Sequence, residues 1–187
     1  MIHPQFVFLA DISYLSIFGK ISLITHMFVH LNISHLLSNV VFFLLFGAIV
    51  ERRLGYKRFM IFLLVSCTLT GILWAGINIE PVFNQHNNTE EYFRVAGLSG
   101  VLFSCIAVSG WALSSQYLTY YGITLFCIEL AQAVNSYFAQ DVDLIKKIRD
   151  TTLYAAHDAH VAGYIAGIVV FSVLMLIERR NRDVKSN

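Results

Sequence analysis

Apolar and polar positions fall in long alternating blocks along this chain, and the apolar blocks approach the length of membrane spans. A helix crossing the hydrocarbon core needs about 20 predominantly apolar residues. Five such blocks are read, from about His35 to Val50, Phe59 to Ile79, Leu98 to Leu113, Leu118 to Phe138 and Leu153 to Ile177. The first ends at Glu51-Arg52-Arg53, and polar loops run from Glu80 to Arg94 and from Gln140 to Thr152. The fourth block is interrupted by Glu129, Gln132 and Asn135, which are expected to face the bundle interior or to bond between helices. Residues 1–25 are apolar but broken by Pro4, Asp11, Gly19 and Lys20. The uninterrupted run Phe6 to Ala10 is too short to span, and no basic segment precedes it as in a signal peptide. That stretch reads as an interfacial segment. The pattern predicts an all-α, polytopic membrane helix bundle of five transmembrane helices, one domain over residues 1–178 with a basic cytoplasmic tail over 179–187.

Composition sharpens this. The chain has 187 residues, of which 57% are hydrophobic and 13% charged, about half the charged share of a soluble domain. The basic residues are split among short loops and the tail, so no patch suited to nucleic acid forms. Cys67, Cys105 and Cys127 all lie in apolar blocks. An odd count there argues against a disulfide framework and for a packing role.

Charge gives the orientation. Alternating the loops places eight basic residues on one side: Arg52, Arg53, Lys57, Arg58, Arg179, Arg180, Arg182 and Lys185. The other side receives five: Lys20, Arg94, Lys146, Lys147 and Arg149. Positive residues favour the cytoplasmic side, so the C-terminus is expected there.

Ionisable and nucleophilic groups at membrane depth are usually functional. Ser99 stands in Gly97-Leu98-Ser99-Gly100, where a polar loop enters the third block. His160 lies in the last block, 61 residues later. His35 and Asn39, four residues apart, share one face of the first helix. By the predicted topology all of these sit at similar depth near the outer face. Ala155, Ala159, Gly163 and Gly167 form a small-residue stripe beside His160, which permits close helix approach in lipid. Such contact would bring an imidazole to a serine hydroxyl, the pairing that a nucleophile and its base require. Each feature has a plainer reading too: membrane helices often contain Ser, and small-xxx-small patterns also occur in inert spans.

Taken together these residues resemble the rhomboid family of intramembrane serine proteases. Thr25-His26-Met27-Phe28-Val29-His30 with His35-Leu36-Leu37-Ser38-Asn39 is similar to the family's second-helix signature, and Glu51-Arg52-Arg53-Leu54-Gly55 to the end of that helix. Gly97-Leu98-Ser99-Gly100 resembles the active-site motif, and the stretch from Ala159 to Gly167 the final helix. The resemblance covers roughly residues 21–178. It implies Ser99 as nucleophile and His160 as general base, a dyad without a carboxylate. It further implies His35 and Asn39 as oxyanion donors, His30 as a supporting residue, and Gly97 and Gly163 as packing residues. The implied substrates are single-pass transmembrane proteins, cut near or within the bilayer through an acyl-enzyme intermediate. The implied location is the plasma membrane of a prokaryote, with no cofactor and no metal.

The chain departs from the family pattern in places. The family core has six spans, and the usual first one is not seen in the 25 or so residues before the His30 region. An aromatic-arginine pair is replaced by Ile21-Ser22, and a tyrosine four residues after the nucleophile by Phe103. The alternative function is a catalytically silent rhomboid-like protein that binds transmembrane clients. A membrane metal or haem protein, drawing on His26, His30, His35, His157 and His160, is set aside: a di-metal site needs more His ligands and carboxylates at the same depth, Asp158 is the one carboxylate close, and His26 and His30 precede the first span.

Overall fold

The computed structural model describes residues 24–30, 32–77, 97–138 and 157–186. The expected segment 1–25 lies almost wholly outside the described residues, as do the 80–94 and 140–152 loops. Among the described residues a 3-10 turn, His26–Phe28, precedes five helices: α1 Ile33–Leu54, α2 Tyr56–Ile77, α3 Ser99–Ala112, α4 Gln116–Phe138 and α5 His157–Ser186.

Local chemistry sets the boundaries. Asn32 caps α1, its side-chain oxygen accepting from the His35 amide at 2.8 Å, which satisfies one of the orphan donors of the first turn. At the other end Gly55 takes φ 75°, a value that favours glycine. Its N–H bonds to Glu51 O at 2.7 Å, and α2 starts at the next residue. Between α3 and α4 the chain reverses over three residues, with Ser114 at φ 53° and Ser115 N donating to Gly110 O at 2.8 Å. A Cβ at Gly110 would collide with Thr119, so this reversal depends on glycine.

α3 is the central helix and packs against α1, α2, α4 and α5. Nine of its positions are buried, including Gly100, Ser104 and Cys105. The core gathers Phe46 and Val50 of α1, Phe62 of α2, Cys105 and Val108 of α3, and Tyr164 and Phe171 of α5. Outward faces are apolar as well: Leu37, Val41 and Leu44 on α1, Ile61 and Ile72 on α2, and Val173 and Leu176 on α5 are all exposed. Contiguous apolar surface on this scale is not found on soluble monomers and suits a hydrocarbon solvent. The helical bundle is that of an integral membrane protein.

The closest packing is between α3 and α5. A Cβ on Gly163 would run into the Gly100 carbonyl, and one on Gly167 into the backbone of Ser104. Ser104 Oγ lies 2.7 Å from Gly163 O and 3.1 Å from Gly100 O, so a polar side chain is satisfied inside the contact. The small-residue stripe works as expected at Ala159, Gly163 and Gly167, while Ala155 lies outside the described residues.

The five helices form the all-α bundle expected of a membrane protein; among the described residues α1, α2 and α5 are long and apolar enough to cross a membrane, and α3 is a shorter apolar helix of 14 residues. Some details differ. Gln132 and Asn135 are exposed rather than facing the interior, because α4 turns Glu129 inward instead. Cys127 is exposed and packs in no core. α5 continues through Arg179 to Ser186, so the basic tail is helical almost to its end.

Candidate active site

The N-terminal parts of α1, α3 and α5 meet at one end of the bundle, and Ser99, His160, His35 and Asn39 lie there. Backbone hydrogen bonds position the approach to Ser99. Gly97 N donates to His26 O at 3.0 Å, and Leu98 N donates to His30 Nε2 over a long 3.5 Å. The 3-10 turn and His30 thereby hold the two peptide groups just before the serine. Burial pushes the His30 imidazole below its ordinary value, partly offset by its hydrogen bond to the Phe28 backbone. A neutral ring is what allows Nε2 to accept.

Gly97 has φ 110°, and a Cβ there would lie 2.8 Å from His35 Cε1 and 3.4 Å from Asn39 Nδ2. The backbone before Ser99 therefore lies directly over His35 and Asn39. The His30 and His35 rings stand edge to face, 5.3 Å apart. Asn39 is 5% exposed, and neither its Nδ2 nor His35 Nδ1 finds a hydrogen-bond partner among the described residues. Leaving a buried donor unsatisfied costs about 1–3 kcal/mol, so two side by side call for an explanation.

Ser99 opens α3, half-buried, with the unpaired amides of the helix N-terminus beside it. Four residues on, Phe103 lies on the same helix face and stacks on His160, ring centroids 4.2 Å apart and tilted by 31°. Gly163, one turn after His160, packs its backbone on Gly100. These two contacts set His160 beside the first turn of α3, the turn that carries Ser99.

A carboxylate enters this cluster that the sequence did not assign to it. Glu129 Oε2 of α4 lies 2.8 Å from His160 Nδ1 and 2.7 Å from His157 Nδ1. An ionised carboxylate only accepts, so an Nδ1–H on each imidazole is what this geometry favours. In its neutral form His160 would then carry its lone pair on Nε2, the tautomer a general base needs. The sequence marks Glu129 as an ionisable group within a span. Its partners could not be read, because they depend on how α4 docks on α5 across a long loop.

Comparison with known proteins gives the family. The family model of the Rhomboid domain matches residues 19–177. Rhomboid protease GlpG of Yersinia pseudotuberculosis serotype I (strain IP32953) is 28% identical over 148 residues, which is 79% of this chain and 45% of that protein. Rhomboid protease GlpG of Yersinia pestis (strain Pestoides F) gives the same identity and coverage. The chain spans less than half the length of these relatives. An all-helical membrane bundle with this family match belongs to the Rhomboid family.

Proposed function

We propose that this chain is an intramembrane serine endopeptidase that cleaves single-pass transmembrane proteins. The observation that carries the reading is the meeting of Ser99's helix turn with His160, near buried Asn39 Nδ2 and His35 Nδ1, which find no hydrogen-bond partner among the described residues. Ser99 Oγ attacks the scissile carbonyl carbon while His160 Nε2 takes its proton. Negative charge grows on the carbonyl oxygen, and Asn39, His35 and the Ser99 backbone N–H donate to it. Donors fixed in advance stabilise that charge without reorganisation, a role that suits groups with no partner among the described residues. His160 returns its proton to the departing amine, leaving an acyl-serine. Water then attacks the ester with His160 again as base, and the acid product and free serine are released. Glu129 acts here as a positioning residue, holding His160 in the productive tautomer through Nδ1, so the dyad gains an acidic partner.

The short α3 supports a site below the membrane surface. Its 14 residues rise about 21 Å, against a hydrocarbon core about 30 Å thick. If its C-terminal end reaches one face, Ser99 falls short of the other. A transmembrane substrate would enter between helices and unwind locally, most readily at small residues such as Gly, Ala or Ser. The protein resides in the plasma membrane of a prokaryote, C-terminus in the cytoplasm and Ser99 toward the outside.

The test is cleavage of a single-pass transmembrane reporter by purified protein in detergent. The parent is expected to cut, and Ser99→Ala and His160→Ala to be silent while retaining helical content and melting temperature. A folded parent that binds the reporter without cutting it would overturn the protease reading in favour of client binding.

A further inference from the structure

The Glu129, His157 and His160 cluster has the composition of a transition-metal site. It offers two imidazoles three residues apart on one helix and a carboxylate from the neighbouring helix, with one ligand atom from each within 4.8 Å of the others. Their side chains are 12%, 24% and 12% exposed for Glu129, His157 and His160, so the cluster is enclosed yet open to solutes. A metal ligand set of two His and one Glu with an open fourth position is one of the arrangements that zinc adopts. With metal–ligand bonds of about 2.0–2.2 Å, tetrahedral ligand atoms stand about 3.4 Å apart. The two Nδ1 atoms are 2.7 and 2.8 Å from Glu129 Oε2. Small side-chain rotations would therefore admit an ion where two protons now sit. The sequence offers Asp158 as the one carboxylate close to these histidines, and the docking of α4 adds Glu129.

We infer that Glu129, His157 and His160 bind a divalent transition ion, Zn²⁺ by preference, and that its binding switches the protein off. The inhibitory half rests on the proposed protease reading, and the binding half does not. The chemistry of inhibition is explicit. The ion takes the place of the His160 Nδ1 proton facing Glu129, and that single ring proton moves, by way of solvent, to Nε2, so the ring stays neutral and releases no net proton. With the metal on Nδ1 and the proton on Nε2, no lone pair is left to accept the Ser99 proton. His157 and Glu129 are thereby pulled into one complex with the base. Nothing is oxidised or reduced, and removal of the ion by a chelator restores the tautomer.

Binding is read without any activity by titrating Co²⁺ into purified full-length Ser99→Ala protein in detergent. Visible ligand-field absorption saturating at one equivalent and displaced by Zn²⁺ is expected. His157→Gln and Glu129→Gln should each weaken it by at least the roughly 10- to 100-fold that loss of a supporting outer-shell partner costs. Two separate ligand variants guard against one of them misfolding, and circular dichroism reports which are folded. Absence of saturable absorption, or binding indifferent to both substitutions, overturns the site. In parallel, Zn²⁺ should inhibit reporter cleavage by the parent at the concentration that fills the site, and EDTA should reverse it. His157→Gln should shift the inhibition midpoint upward relative to its own metal-free rate. Stoichiometric binding with cleavage unimpaired overturns the switch. A metal-free parent that never cuts but binds Co²⁺ normally upholds the site and overturns the protease reading instead.

Discussion

Asn39 shows what a single residue contributes to this fold and how it can be tested. It is an amide buried on an apolar helix, its Nδ2 lacking a partner among the described residues and facing Gly97. As a structural residue it makes little sense, since it adds the penalty of an unsatisfied donor. As an oxyanion donor it makes its bond only when charge develops. Asn39→Ala should therefore lower kcat by about 10²–10³, as loss of one such donor does elsewhere, with KM little changed and the melting temperature unchanged or raised. Steady-state kinetics on the reporter together with a thermal melt check this. A matched fall in stability would assign Asn39 to packing. At this scale Ser99, His160, His35 and Asn39 were legible from the chain, because polar groups in apolar blocks announce themselves. Glu129 was equally visible, yet its partners were not. A side chain's presence in a span is a sequence property, whereas its pairing with His157 and His160 is made by packing.

Elements place these residues, and two of them do so in testable ways. The α3–α5 contact has no room for a Cβ at Gly163, which would meet the Gly100 carbonyl. Gly163→Ala should destabilise by about 1–3 kcal/mol, the usual cost of overpacking, and should lower activity further by moving His160 away from α3. Gly76 is the control, since a Cβ there meets nothing within 4 Å; Gly76→Ala should be neutral or slightly stabilising, as alanine is the better helix former. Thermal unfolding and reporter cleavage of both variants decide it. The second element is the stretch before α1. His30 accepts from Leu98 N and is held below its ordinary value by burial. A group whose value falls on folding adds stability at pH above its unfolded value, about 6.5. That stability is lost as pH drops through the folded value. Melting temperature should fall between pH 7.5 and 5, and His30→Gln should flatten this part of the curve. An equal slope in parent and variant would place the acid sensitivity elsewhere. Helix positions were well read from hydropathy, since lipid demands long apolar runs whatever their partners. The 3-10 turn at His26 was not, because it exists to bond Gly97 some 70 residues away rather than to satisfy a local pattern.

At the scale of the whole molecule the two ends of the bundle are chemically opposite. One end holds histidines, a serine and an amide. The other holds Glu178 of α5, reached by Arg58 of α2 at 3.0 Å, Arg182 at 3.3 Å and Arg53 of α1 at 3.4 Å. These arginines are substantially exposed, so the pairs add little to stability. Their importance lies in charge, for the three carboxylates of that end, Glu51, Glu178 and Asp183, leave a surplus of positive groups there, joined by Arg52, Lys57, Arg179, Arg180 and Lys185. The surplus was countable from sequence, but its gathering onto one face follows from α5 continuing as a helix beside the α1–α2 turn. A positive end resists translocation, so it should remain in the cytoplasm and turn the Ser99 end outward, where water for deacylation is at hand. A green fluorescent protein fused after Asn187 should fluoresce in intact cells, and an alkaline phosphatase fused there should be inactive. Replacing Arg52, Arg53, Lys57 and Arg58 together with Gln should raise the share of inverted molecules. Phosphatase activity from the parent fusion would reverse the assignment and put the site on the cytoplasmic side.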